Sequence, residues 1–153
     1  MDTFKVVNAV EGMVLGWSDM DSPFTLKRDA GHNVLLAAYH GIITDEVVLR
    51  ANELSVRLVA QYLPKAAIAD FSAVAKFDVT APCVQRLALY EPELPGDAPI
   101  IMVAPAEHVF GMARMYEMLS SARKERVTVV HTLGEAYARL GLDDAQFEPV
   151  DLP

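Results

Sequence analysis

The chain has 153 residues, 52% apolar and 22% charged, with a net charge of −8 from 13 basic and 21 acidic side chains. These values exclude a disordered polymer, a disulfide-stapled miniprotein and a chain built to grip a phosphate backbone, since no basic stripe with interleaved aromatics offsets the acidity. Its longest apolar runs, such as PIIMVAPA, are too short to span a bilayer.

One domain over residues 1–153 is expected, large enough to bury a core without a metal or disulfide. The N-terminus has no apolar segment behind a basic region and so does not read as a signal peptide. The single cysteine, Cys83, agrees with a reducing compartment, and a cytoplasmic protein is expected. Cys83 reads as a small packing residue rather than a reactive thiol.

Residues 1–31 read as an N-terminal extension or hairpin. Short strands are expected at 4–10 and 13–17, and residues 24–28 alternate as a sheet-edge strand does. Gly12 and Gly16 show a GxxxG spacing that carries no meaning outside a long apolar helix. Val34 to Tyr39 is a continuous apolar run, as in a strand covered on both faces, and His40-Gly41 reads as its end. Thr44 is a good N-cap, followed by Asp45 and Glu46 in the first turn of a helix that stops at Pro64. Val47, Ala51, Leu54, Leu58 and Tyr62 form its apolar stripe, with Arg50, Glu53 and Arg57 facing water.

A second buried strand is expected at 66–71, then a loop over 72–77 and a helix opening at Thr80, where Pro82 is tolerated in the first turn. A strand feeding a helix start puts free backbone N–H groups and the positive dipole end at the sheet rim, which favours an anion. Thr80 reads first as the cap of this helix and second as an anion-facing hydroxyl. Asp78 competes for the capping role. A third strand is expected at 98–104 and a helix within 106–122, with Val109, Met112, Tyr116 and Leu119 in its core stripe. A fourth strand follows at 127–131, then a helix opened by the T-x-x-E box of Thr132 and Glu135 and closed by Gly141. Residues 142–153 form an acidic tail that packs through Phe147 and Val150 or hangs loose. The order predicts an α/β fold with about four helices, an N-terminal hairpin and a mainly parallel central sheet.

Within the helix HVFGMARMYEML, Phe110, Gly111, Met112, Arg114, Met115 and Glu117 are the candidate partner or ligand face. Arg114, Glu117 and Ser121 share one side of it. Gly111 marks a possible close approach of backbone, because glycine in a helix costs about 1 kcal/mol against alanine. His32, His40, His108 and His131 show no HExxH and no cysteine partners, so neither metal nor cofactor is expected. His40 and His131 fall at expected strand ends that share one rim with Asp70, Asp78 and the helix start at His108, so that an acid-base pair such as His131 with Asp78 is geometrically allowed, and rim histidines without a catalytic task are the commoner case. No GxGxxG, P-loop or GxSxG motif is present.

An apolar strand, D-x-S, a short connection, F-D-x-[ST] and a helix together resemble the STAS domains of anti-sigma-factor antagonists, carried here by Asp70, Ser72, Phe77, Asp78 and Thr80. The segment HVFGMARMYEML is similar to bacterial STAS/SEC14-like proteins of the same type. The resemblance covers roughly residues 33–141. It implies a STAS-like sandwich with Thr80 at the phospho-acceptor position and Asp78 at the acidic one. It further implies a partner kinase and signalling by binding rather than catalysis. The chain departs from that pattern at Val79, Ala81 and Pro82. Three activities follow as expectations. The first is a non-enzymatic module that binds a protein partner or a second copy of itself. The second is a SEC14-like carrier of a small apolar or amphipathic ligand, which requires an enclosed cavity of ~300 Å³ or more. An enzyme using rim histidines comes last.

Overall fold

A computed structural model describes residues 22–89, 94–120 and 126–151. The strands expected at 4–10 and 13–17, the pair Gly12 and Gly16, and Ser121 lie outside the described residues. The element order is β1 (Phe24–Asp29), β2 (Val34–Thr44), α1 (Asp45–Tyr62), β3 (Ala66–Asp78), α2 (Ala81–Leu89), β4 (Ile100–Val103), α3 (Glu107–Leu119), β5 (Val127–Val130), α4 (Leu133–Leu140) and β6 (Glu148–Pro149). The six strands form one mixed sheet in the order β5-β4-β3-β2-β1-β6. β2, β3, β4 and β5 pair in parallel, while β1 pairs antiparallel with β2 and with β6.

Alternation along the strands builds two cores. Leu35 of β2 joins Phe24, Tyr39, Phe71 and Ile100 beneath α1, α2 and α3, while its neighbours Val34 and Leu36 join Ile68, Ile101 and Val103 beneath α4. Successive side chains of a strand point to opposite faces, so a continuous apolar run serves both cores at once. Each fully buried Leu or Ile contributes about 1.5–3 kcal/mol of transfer free energy. Ile43, Leu58, Ile68 and Ile101 are among the most completely buried.

The helix ends follow the sequence closely. The Thr44 hydroxyl accepts from the Val47 N–H at 3.5 Å to open α1. Leu63 closes it in the left-handed region at φ 46°, before Pro64. The side-chain amide of Asn33 donates to the carbonyls of Tyr62 and Leu63 at 3.1 and 3.2 Å, so the β1–β2 turn supplies donors to carbonyls that have none within the helix. At α4 the capping box is complete: the Glu135 N–H donates to Thr132 Oγ1 at 3.1 Å, and Glu135 Oε1 accepts from the Thr132 N–H at 3.0 Å. Gly141 closes that helix at φ 67°.

Four expectations need correction. β2 does not end at His40-Gly41 but runs to Thr44, because Gly41 takes φ 77° and register shifts on either side of it absorb the irregularity. Residues 72–77 are not a loop; they continue β3, which pairs with the extended β2 as far as Thr44 opposite Asp78. β1 is not the sheet edge, because β6 pairs outside it. Leu119 lies outside the core at 47% exposure, at the last position of α3. The tail packs rather than hangs loose. Phe147 stacks on Tyr137, the Gln146 N–H donates to Asp29 at 2.8 Å, and the Val150 N–H donates to the Leu26 carbonyl at 3.1 Å. Among the described residues no helix is long and apolar enough to cross a membrane.

Candidate functional site

β2 and β3 outrun their neighbours. Among the described residues the β1 ladder reaches Tyr39, with the Pro23 carbonyl accepting from the His40 N–H just beyond it, and the β4 ladder reaches Asp70, while the β2–β3 pair continues to Thr44 and Asp78. The projecting ribbon carries Ile42 at 61% exposure and ends in the exposed Asp78. α1 and α2 both start at its tip, directly after Thr44 and three residues beyond Asp78.

Thr80 is the cap of α2. Its hydroxyl accepts from the Cys83 N–H at 3.3 Å and donates to Asp45 Oδ2 at 2.7 Å, while its own N–H donates to Asp45 Oδ1 at 2.7 Å. The first residue of α1 thus clasps the start of α2. The anion favoured by that helix start is supplied by the chain itself. The Thr80 N–H bond, helped by the Thr80 hydroxyl and the Cys83 thiol, outweighs burial and holds the Asp45 carboxyl below its ordinary value. Burial, reinforced by the Asp45 charge, pushes the Cys83 thiol up to about 11, so it is a buried packing residue and not an activated nucleophile. Asp78 does not cap α2 and lies exposed at the strand end. Asp70 Oδ1 accepts from both the N–H and the hydroxyl of Ser72, at 3.0 and 2.6 Å, which fixes the D-x-S step against its own backbone.

The six α3 residues do not form one face. Phe110 stacks on His131 with centroids 4.2 Å apart and the rings 3° from parallel. Met112 and Met115 pack against the larger core. Arg114 points outward and lies 3.2 Å from Glu117 Oε1, but off the hydrogen-bonding direction, so that pair is a coulombic one. Gly111 is exposed, and a Cβ added there meets nothing within 4 Å, so no close backbone approach explains it. His131 is committed to Phe110 and its N–H to Glu135, and it shares no hydrogen bond or ion pair with Asp78. Among the described residues no group of three or more His, Cys, Asp or Glu side chains is placed to hold a metal ion.

Between the sheet and helices α1, α2 and α3 lies an apolar cavity of about 150 Å³, lined in part by Tyr39, Leu58, Phe71, Met112 and Tyr116. Asn52 and Ser55 of α1 give it a polar side. Burial pushes the Tyr39 hydroxyl above its ordinary pKa, so that group stays protonated at the cavity wall. The sequence placed Met112 at a candidate ligand face but gave no sign of the void. Nor did it give a sign of the Asp45–Thr80 clasp, because residues 35 apart in the chain leave no local pattern. The chain matches no protein-family model and no characterised protein.

Proposed function

We propose that this protein is a non-enzymatic, STAS-like binding module whose partner surface is the tip formed by the β2–β3 ribbon and the start of α2. One observation carries the reading: among the described residues β2 and β3 stay paired past the ends of their neighbours' ladders and present a large apolar side chain, Ile42, beside Asp78 and the clasped Thr80. A large apolar side chain with polar groups around it has the make-up of a contact centre with a polar rim. The strand–helix order, with Asp70-x-Ser72 on β3 and Asp78-x-Thr80 at its junction with α2, supports the STAS-like assignment. The occupant is a protein partner or a second copy of the chain. Ile42→Asp tests this, because an exposed substitution changes stability by only about 0.5 kcal/mol while placing a charge in the contact. The expected result is an unchanged melting temperature with loss of any dimer or any protein partner retained by the wild type. Equal retention by both chains contradicts the proposal.

A second reading rests on the cavity. At about 150 Å³ it is half the ~300 Å³ of an ordinary ligand site, yet an apolar void of this size is large enough for one aromatic ring. On this reading the protein senses or carries a small, mostly apolar molecule whose polar atom meets Asn52 or Ser55. Saturating the solution with benzene raises the melting temperature if the cavity is open to ligand, and Ala113→Leu, which fills it, removes the response. No rise in the wild type excludes this reading.

A further inference from the structure

The cavity beneath α1, α2 and α3 has polar groups that the fold leaves unused. Tyr39 is 8% exposed and lines the void. Its ring is held by Phe71, stacked at 4.7 Å with the planes 8° apart, and by Phe24, edge-on at 6.4 Å. Among the described residues its hydroxyl has no hydrogen-bond partner, and neither do the side chains of Asn52 and Ser55, which line the same void from α1. Buried polar groups are ordinarily paired, so a buried tyrosine hydroxyl left open at a cavity wall calls for a partner from outside the chain.

The chemistry of the wall narrows the occupant. Among the described residues that line it, Lys27 alone is charged. Its cross-strand partner Leu36 belongs to the core under α4, so the Lys27 side chain leaves on that other face of the sheet. An ionised ligand would be buried without a counter-ion, which excludes it. Val84, Val109 and Met112 give the wall apolar surface from α2 and α3, and a void of about 150 Å³ admits one aromatic ring. Asn52 and Leu87 also border a surface groove shared with Arg50 and Glu53, which puts the way into the void between α1 and α2.

We propose that the cavity is a site for a neutral single-ring phenol, whose hydroxyl oxygen accepts from the Tyr39 hydroxyl and whose hydroxyl proton is donated to Asn52 or Ser55 on the helix above. This rests on the ligand-sensing reading and adds to it the class of ligand and the residue that selects it. Burial keeps the Tyr39 hydroxyl protonated, so it is a donor. A ring without a polar atom leaves the three groups unpaired, and a ring with a carboxylate finds no cation. Occupancy follows the phenol concentration in solution, as it does in a sensor.

Calorimetric titration of the full chain with phenol and with toluene, which carries a methyl group in place of the hydroxyl, separates this claim from the reading it rests on. The wild type is expected to bind one phenol per chain. Tyr39→Phe keeps the stacked ring and is expected to weaken phenol about tenfold while binding toluene at least as well as the wild type does. An equal effect of Tyr39→Phe on both compounds, or toluene bound and phenol not, overturns the phenol assignment and leaves the cavity reading standing. Failure of both compounds to bind the wild type overturns the two together. The ligand-free variant supplies an independent check. With no partner in the fold for the hydroxyl, Tyr39→Phe is expected to melt no lower than the wild type, and a lowered melting temperature overturns the proposal by showing that the hydroxyl is already paired.

Discussion

At the residue scale, two aspartates do work that their neighbours in sequence do not reveal. Asp45 looks like a first-turn acid suited to its own helix dipole, and it is also the group that ties α1 to α2 through Thr80. A phosphate on Thr80 would remove the proton that Asp45 accepts and set a dianion against a carboxylate, so modification there would open the clasp rather than decorate it. Asp29 sits in turn chemistry and is one of the most buried polar residues described. Burial pushes its carboxyl up, but the N–H groups of His32 and Gln146 together with the His32 ring outweigh that and hold it below its ordinary value. A carboxyl with a depressed folded pKa binds fewer protons folded than unfolded. Its stabilisation is therefore complete above the unfolded pKa of about 4 and is lost as the pH falls through the folded value. Denaturant titrations are expected to show stability falling as the pH drops below about 4, with a shallower fall in Asp29→Asn. An identical slope in the two chains contradicts the role given to Asp29.

At the element scale, two glycines separate strain from propensity. Gly41 adopts φ 77° within the β2 irregularity, although a Cβ there has open space around it. Gly41→Ala is expected to cost about 1–2 kcal/mol through backbone strain alone. Gly111 lies in the interior of α3 with the same open space and no positive φ. Gly111→Ala is expected to stabilise by about 0.5–1 kcal/mol. Opposite shifts in melting temperature verify both statements, and a destabilising Gly111→Ala would reveal a contact at that face.

The same elements explain what the sequence could and could not disclose. The Thr44 cap, the Thr132–Glu135 box and the Gly141 closure were legible because each is a local pattern of side chain and backbone. The ends of β2 and β3 were not. His40-Gly41 has the composition of a turn, and within residues 72–77 the small or polar Ser72, Ala73, Ala75 and Lys76 are all exposed, because this stretch runs on past the last β3 residue paired with β4. Leu119 fits the spacing of a core stripe but is the final residue of α3 and is left half exposed. The candidate face on α3 is divided between the core side of Met112 and Met115 and the outward Arg114 for a related reason. Helical spacing places residues around an axis without saying which side the sheet takes.

At the scale of the whole molecule, the described residues build one mixed sheet with helices on both faces, two separate cores and a cavity in the larger one. Interiors are ordinarily packed to crystal density, so a void of about 150 Å³ is the main departure from a filled core. The projecting ribbon is the main departure from a flush sheet rim. The two proposed functions rest on these two features, and they predict different compositions for the purified protein. Native mass spectrometry of freshly prepared protein, followed by denaturation, separates them directly. The account predicts the mass of one or two polypeptide chains with no small molecule bound, and a phosphate, if present, confined to Thr80. A stoichiometric small molecule that departs on denaturation would contradict the partner-binding claim and move the function to the cavity beneath α3.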